Sequence, residues 1–169
     1  MKRFTKCAAM TVLGGSMILA PAAAQAGTLE DALQPALPGF NVAGALPQWD
    51  VENGHAHAKA DDAIALGISV LNGSATAHAS NFSGPAAIAV GEGAVVEAHG
   101  VQPGLAIGIA GPDTMVKIDG TTAVVCDGQA GFAGDFQTLT GCAAYPNIDG
   151  SIQVIHFDGS TATTPLTLR

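Results

Sequence analysis

Residues 63–100 read AIALGISVLNGSATAHASNFSGPAAIAVGEGAVVEAHG, and apolar side chains recur in them at every second position. Alternation of period two marks β-strands, and the breaks rich in Gly, Ser, Asn and Pro between the alternating pieces mark turns. Glycine is frequent and no 3.6-residue stripe persists for three turns, so helix is disfavoured. The same unit recurs on either side. Written by their similar ends, the segments are VENGHAHAKADDAIALG (51–67), LNGSATAHASNFSGPAAIAVG (71–91), GAVVEAHGVQPGLAIG (93–108) and DTMVKIDGTTAVVCDG (113–128). Each holds an alternating piece, a turn and a second apolar piece ending in Gly. Aligned this way, His57, His78, His99 and Asp119 fall in one column at nearly equal intervals. A period of about 20 with two short strands per period predicts an all-β, repeat-containing β-solenoid-like domain, with a small β-sandwich as the alternative.

The second piece of each unit suggests how the core is filled. In a strand, Ile64 and Leu66 point to one side and Ala63 and Ala65 to the other; Ile88 and Val90 oppose Ala87 and Ala89 in the same way. The expectation is that the branched aliphatics fill a narrow core. The Ala face, apolar but small, then packs on another layer or joins copies into a homo-oligomer, since strands apolar on both sides are usually covered on both. Few aromatic residues are present, which agrees with a thin core.

The flanks differ from the repeats. Residues 1–26 begin with Lys2, Arg3 and Lys6, continue in an apolar run to Ala20 and end in the small-x-small pattern Ala24-Gln25-Ala26, the layout of a secretory signal peptide cleaved before Gly27. Residues 27–50, broken by several prolines, read as an N-terminal arm or linker, in which Phe40 and Trp49 are most simply part of a plain surface extension; the other reading has them plug one end of the domain. Residues 51–169 form the β-repeat domain. Its closing part has turn signals at Tyr145-Pro146-Asn147, Asp149-Gly150 and Asp158-Gly159 around the strand SIQVIHF, and a Thr-rich tail suited to an edge strand. Cys126 and Cys142 are too far apart for C-x-x-C chemistry and are expected to form a disulfide in an oxidising compartment, closing a C-terminal hairpin cap.

Charge restricts the partners. The chain carries a net charge of −8, and loss of residues 1–26 would remove three of its six basic residues and none of its 14 acids. Such a surface repels nucleic acid and anionic lipid, and no apolar run beyond the signal is long enough to span a bilayer. Nor is there a G-x-S-x-G elbow, an H-E-x-x-H helix, a P-loop or an EF-hand loop; the Asp-Gly pairs are turn chemistry. The histidine column is the sharpest chemical feature. Stacked rungs lie about 4.8 Å apart, so His57, His78 and His99 with Asp119 would make a ladder able to take a divalent metal such as zinc, with His55 as a further ligand. The other reading is a row of polar residues along a solvated edge.

The run GIAGPDTMVKIDGTTAVVCDGQAGFAGDFQTLTGC, Gly108 to Cys142, resembles a family of small, secreted, Ala/Gly-rich actinobacterial proteins marked by an AIAxG repeat and a closing VVC…FAG-F-T--GC segment. That family has no established activity, so the resemblance implies secretion. AIALG and AIAVGEGAVVEAHG are also similar to the head repeats of trimeric autotransporter adhesins, which implies stacked coils and self-association, although no coiled-coil stalk follows. The expected function is therefore noncatalytic: a secreted, extracellular or cell-envelope protein acting through surface contacts or self-association, without a cofactor. The alternatives are a metal-binding protein or secreted hydrolase using the histidine column, and a carrier of small apolar ligands.

Overall fold

The computed structural model describes residues 39–159; the expected signal peptide, residues 27–38 of the expected arm and the Thr-rich tail from residue 160 lie outside them. Among the described residues every regular element is a strand. The chain winds through β1 (Asn41–Ala45), β2 (Trp49–Asn53), β3 (Ala56–Ala60), β4 (Ala65–Val70), β5 (Ser74–Ala79), β6 (Ser83–Val90), β7 (Val95–Gly100), β8 (Gly104–Ala110) and β9 (Thr114–Ile118). From β3 onward consecutive strands alternate between two sheets. β3, β5, β7 and β9 lie side by side in parallel in a six-stranded sheet, and β4, β6 and β8 do the same in a seven-stranded one. This is a flattened β-solenoid of about three turns. Successive turns are marked by the pairs Ala56↔Ala75, Ala75↔Val96 and Val96↔Val116, and the first of them is the shortest.

Both ends of the coil are closed by antiparallel strands. At the start, β1 pairs with β4 and β2 with β3. Residues 41–50, expected as part of an arm, are thus integral to the two sheets, because their alternating apolar positions pair with the first full turn. Trp49 packs at the margin of the core cluster and Phe40 is buried, the plug that the sequence left open. At the far end β10 (Val125–Gly128) pairs with β9, while β11 (Gly131–Asp135), β12 (Thr140–Pro146) and β13 (Ile152–Asp158) continue from β8 as a meander. Cys126 on β10 and Cys142 on β12 are joined in a disulfide that ties one sheet to the other.

The core reverses the expected facing. Ala87 and Ala89 are 0% exposed, whereas Ile64 and Leu66 are 60% and 38% exposed. The alanines, not the branched aliphatics, lie between the sheets. β3 and β5, AHAKA and SATAHA, explain it: their alternate residues are His, Lys and Thr, which belong in water, so their alanines must point inward. A layer one methyl thick on the six-stranded sheet draws the other sheet close. A Cβ added at Gly67 on β4 would stand 2.8 Å from the His57 carbonyl and 3.2 Å from that of Ala75, both backbone atoms of the opposite sheet. Farther along, where the six-stranded sheet turns Val96, Val116 and Ile118 inward, Gly108 faces them, and a Cβ there would lie 2.7 Å from Val96 Cγ1. Large and small residues are matched across the gap, as close packing requires. Leu66, Ile68, Ile88 and Ile107 have no room inside and face outward. The Ala-rich faces are consumed by this interior and present no surface to another copy.

Two substitutions test this packing. Gly67→Ala should lower the unfolding free energy by about 1–3 kcal/mol through overpacking, while Gly44→Ala on the outer side, where no atom lies within 4 Å, should leave it nearly unchanged; chemical denaturation reads both. Replacing Cys126 and Cys142 together by Ser should cost roughly 3 kcal/mol, the chain-entropy value for a loop of this size.

Candidate functional site

The outer faces of the two sheets are chemically opposite. On the six-stranded sheet, register places Asp50, Lys59, His78 and His99 in one lateral row, and Glu52, His57, Thr76, Glu97 and Lys117 in the next. Ion pairs run along it: Lys59 Nζ lies 3.8 Å from Asp50 Oδ2, and Lys117 Nζ 4.0 Å from Glu97 Oε2. His57 Nε2 donates a 2.7 Å hydrogen bond to Asp50 Oδ1, and this bond is the main reason the Asp50 carboxyl is held below its usual range.

The structure brings three of the four column residues together and leaves the fourth out. The first turn is two residues shorter than the interval between the histidines, so Thr76 pairs with His57 and Lys59 takes the place beside His78. A slip of two residues keeps a side chain on its face, and the His57 ring still reaches His78 diagonally. Its centroid is 5.1 Å away and edge-on, while His78 and His99 stack at 5.0 Å with planes 13° apart. The rings of His78 and His99 run parallel rather than converging on a point. Asp119 lies just beyond β9 and is spent on its own turn. Its Oδ1 accepts from the Thr121 and Thr122 amides at 2.8 and 2.7 Å, and its Oδ2 from Thr122 Oγ1 at 2.6 Å. These bonds, that of the Thr122 hydroxyl foremost, depress its pKa strongly. Among the described residues no group of three or more His, Cys, Asp or Glu side chains is arranged to hold a metal ion. Lys59, Asp61, His78, Ser80 and His99 line an open cleft of about 330 Å³, where His78 Nε2 is buried without a hydrogen-bond partner. Sequence reasoning missed Lys59 by aligning on histidine. Matching Ala56-x-Ala58-x-Ala60 to Ala75-x-Ala77-x-Ala79 recovers the true register.

Among the described residues, the outer face of the seven-stranded sheet carries no charge. One lateral row runs Val42, Ile68, Ile88, Ile109, Phe132, Ala143, Ile155 across all seven strands, and the adjacent row runs Gly44, Leu66, Ala86, Ile107, Gly134, Gly141, Phe157. The first is a nearly continuous ridge; the second alternates large with small. Leu105 at 65% and Phe132 at 43% exposure stand in water. At the coil corners Ile64, Phe82, Phe136 and Leu139 extend the apolar area over one edge, where Phe132, Phe136, Leu139 and Phe157, together with Asp135 and Asp158, line a cleft of about 280 Å³. The polar members of this face, Tyr145 and Gln153, pair with each other at the far end of β12 and β13. Between the sheets, by contrast, a Cβ added at Gly67 or Gly108 would stand 2.8 or 2.7 Å from atoms of the opposite sheet, so the interior is closely packed at both positions.

No known protein family, curated protein or solved structure matches the chain.

Burial of the His78 ring, then the neighbouring His99, His57 and Lys59, lowers its pKa below the ordinary 6.5, against the smaller opposing pull of Asp50. The folded chain therefore binds this proton less readily than the unfolded chain. Its contribution to stability is present above pH 6.5 and is lost as pH falls from there toward the lower folded pKa. Thermal unfolding midpoints should drop across that window, and His78→Gln should flatten that part of the profile.

Proposed function

We propose that this protein is a noncatalytic contact protein of the extracellular space or cell envelope, acting through the outer face of its seven-stranded sheet. One observation carries the reading: among the described residues, an acidic chain keeps all charge off one sheet face while lining the opposite face with ion pairs. Contiguous exposed apolar area beyond a few hundred Å² is rare on soluble monomers and marks interaction sites. Here the face spans seven strands at about 4.8 Å each and about 20 Å along the strands, roughly 600–700 Å² before its edges are counted. The inter-sheet disulfide supports a location in an oxidising compartment.

Metal binding or hydrolysis would draw on His78 and His99 at their cleft, with the buried Nε2 of His78 as the feature in its favour; that reading needs Asp61, which lines the same cleft, to come within ligating distance of both.

A photo-cross-linking phenylalanine analogue at Ile88, introduced into the full chain in the cells that produce it, tests the contact surface. A macromolecular adduct should form from Ile88 and not from Thr76 on the opposite face. Adducts from Thr76 alone, or from neither position, would overturn the reading.

A further inference from the structure

We infer that the occupant of this apolar face is a second copy of the chain, the two seven-stranded sheets packing face to face about a two-fold axis. The inference rests on the contact reading above and names the partner. The first argument is area. A face of roughly 600–700 Å² on each of two copies buries about 1,200–1,400 Å² together, within the range of a specific, stable interface, and the exposed corner residues Ile64, Phe82 and Phe136 add to it.

The second argument is shape. An isologous interface must be complementary to itself. The row beside the ridge is lowered at Gly44, Ala86, Gly134 and Gly141 and raised at Leu66, Ile107 and Phe157, so with one sheet turned over the pairing sets Ile88 and Ile109 of each copy over the low positions of the other.

The third argument is charge. Two acidic chains repel, yet in this arrangement their charged six-stranded sheets lie on the outside of the pair. The carboxylates of Asp50, Glu52, Glu97 and Asp127 in one copy then stand more than about 20 Å from their counterparts, taking usual sheet spacings, which exceeds the Debye length of about 8 Å at physiological salt. Packing through the six-stranded faces would instead oppose like charges. A bilayer fits less well, since Lys59 and Lys117, the two lysines among the described residues, sit on the opposite side and cannot meet anionic headgroups at the rim of this face.

Light scattering on the full chain, purified as the producing cell processes it, should give twice the chain mass. Ile88→Lys and Ile109→Lys should each halve that mass while circular dichroism retains the strand signal, because both side chains lie outside the core. Met115→Lys, on the other face, should leave the mass doubled, and raising the salt concentration should not dissociate the pair. The adduct formed from the Ile88 photo-probe should weigh twice the chain, and should Ile88→Lys fail to fold, that adduct decides. A monomeric chain, or a dimer lost on Met115→Lys but kept in Ile109→Lys, would overturn the inference. An Ile88 adduct to a different protein or to lipid would overturn the second copy and leave the contact surface standing; no adduct at all would remove both.

Discussion

Over the first turns the two sheets meet through a single layer of alanine methyl groups, and the closeness of that meeting governs what lies outside it. At Gly67 the opposite backbone is so near that a Cβ would stand 2.8 Å from a carbonyl oxygen. Apolar area removed from water stabilises the fold at roughly 25 cal/mol per Å² whatever side chain supplies it, so many small residues in close contact can replace fewer large ones. The consequence is geometric. Where the gap is one methyl deep it cannot take Ile or Leu, and the coil turns most of its bulky aliphatics out; Ile118 enters where Gly108 faces it.

This inversion decides what the outer faces present. In most two-sheet proteins the larger apolar residues are spent on the interior and the outer faces are left polar. Here the interior takes Ala, Gly, a few Val and Ile118, and the outer face of one sheet holds Ile, Leu and Phe in lateral rows. Parallel coiling keeps those rows in register, since each turn sets a like residue beside its predecessor. The antiparallel strands β11 to β13 extend the same rows beyond the coil and, with the Cys126–Cys142 bridge, secure them to the other sheet. The polar face is built by the same repetition: ion pairs and a stack of imidazoles follow from strands such as AHAKA and SATAHA.

Several features were readable directly from the residues. The repeat period, the strands on either side of the Gly-rich turns, the disulfide and the cap strand SIQVIHF all correspond to observed elements, because turn chemistry and alternation are local. The direction of each face was not. Hydrophobicity alone ranks Ile64 and Leu66 ahead of Ala63 and Ala65 for burial, and that preference lost to the spacing imposed by a neighbouring sheet whose alternate residues are His, Lys and Thr. The histidine column was half right for a related reason. His78 and His99 share a row, but a first turn two residues shorter than assumed moved His57 aside, set Lys59 in its place and left Asp119 in a turn. Strands beginning at Asn41 were hidden by the prolines around them.

By itself, then, the order of residues determined that this chain makes short strands in repeated units, bonds its two later cysteines, and alternates small with large or polar side chains, since each of these depends on neighbours a few positions away. Only the tertiary structure decided which side of each strand became the inside. That choice depends on the distance between two sheets, a quantity set jointly by residues from different strands of the coil and by no single segment of it.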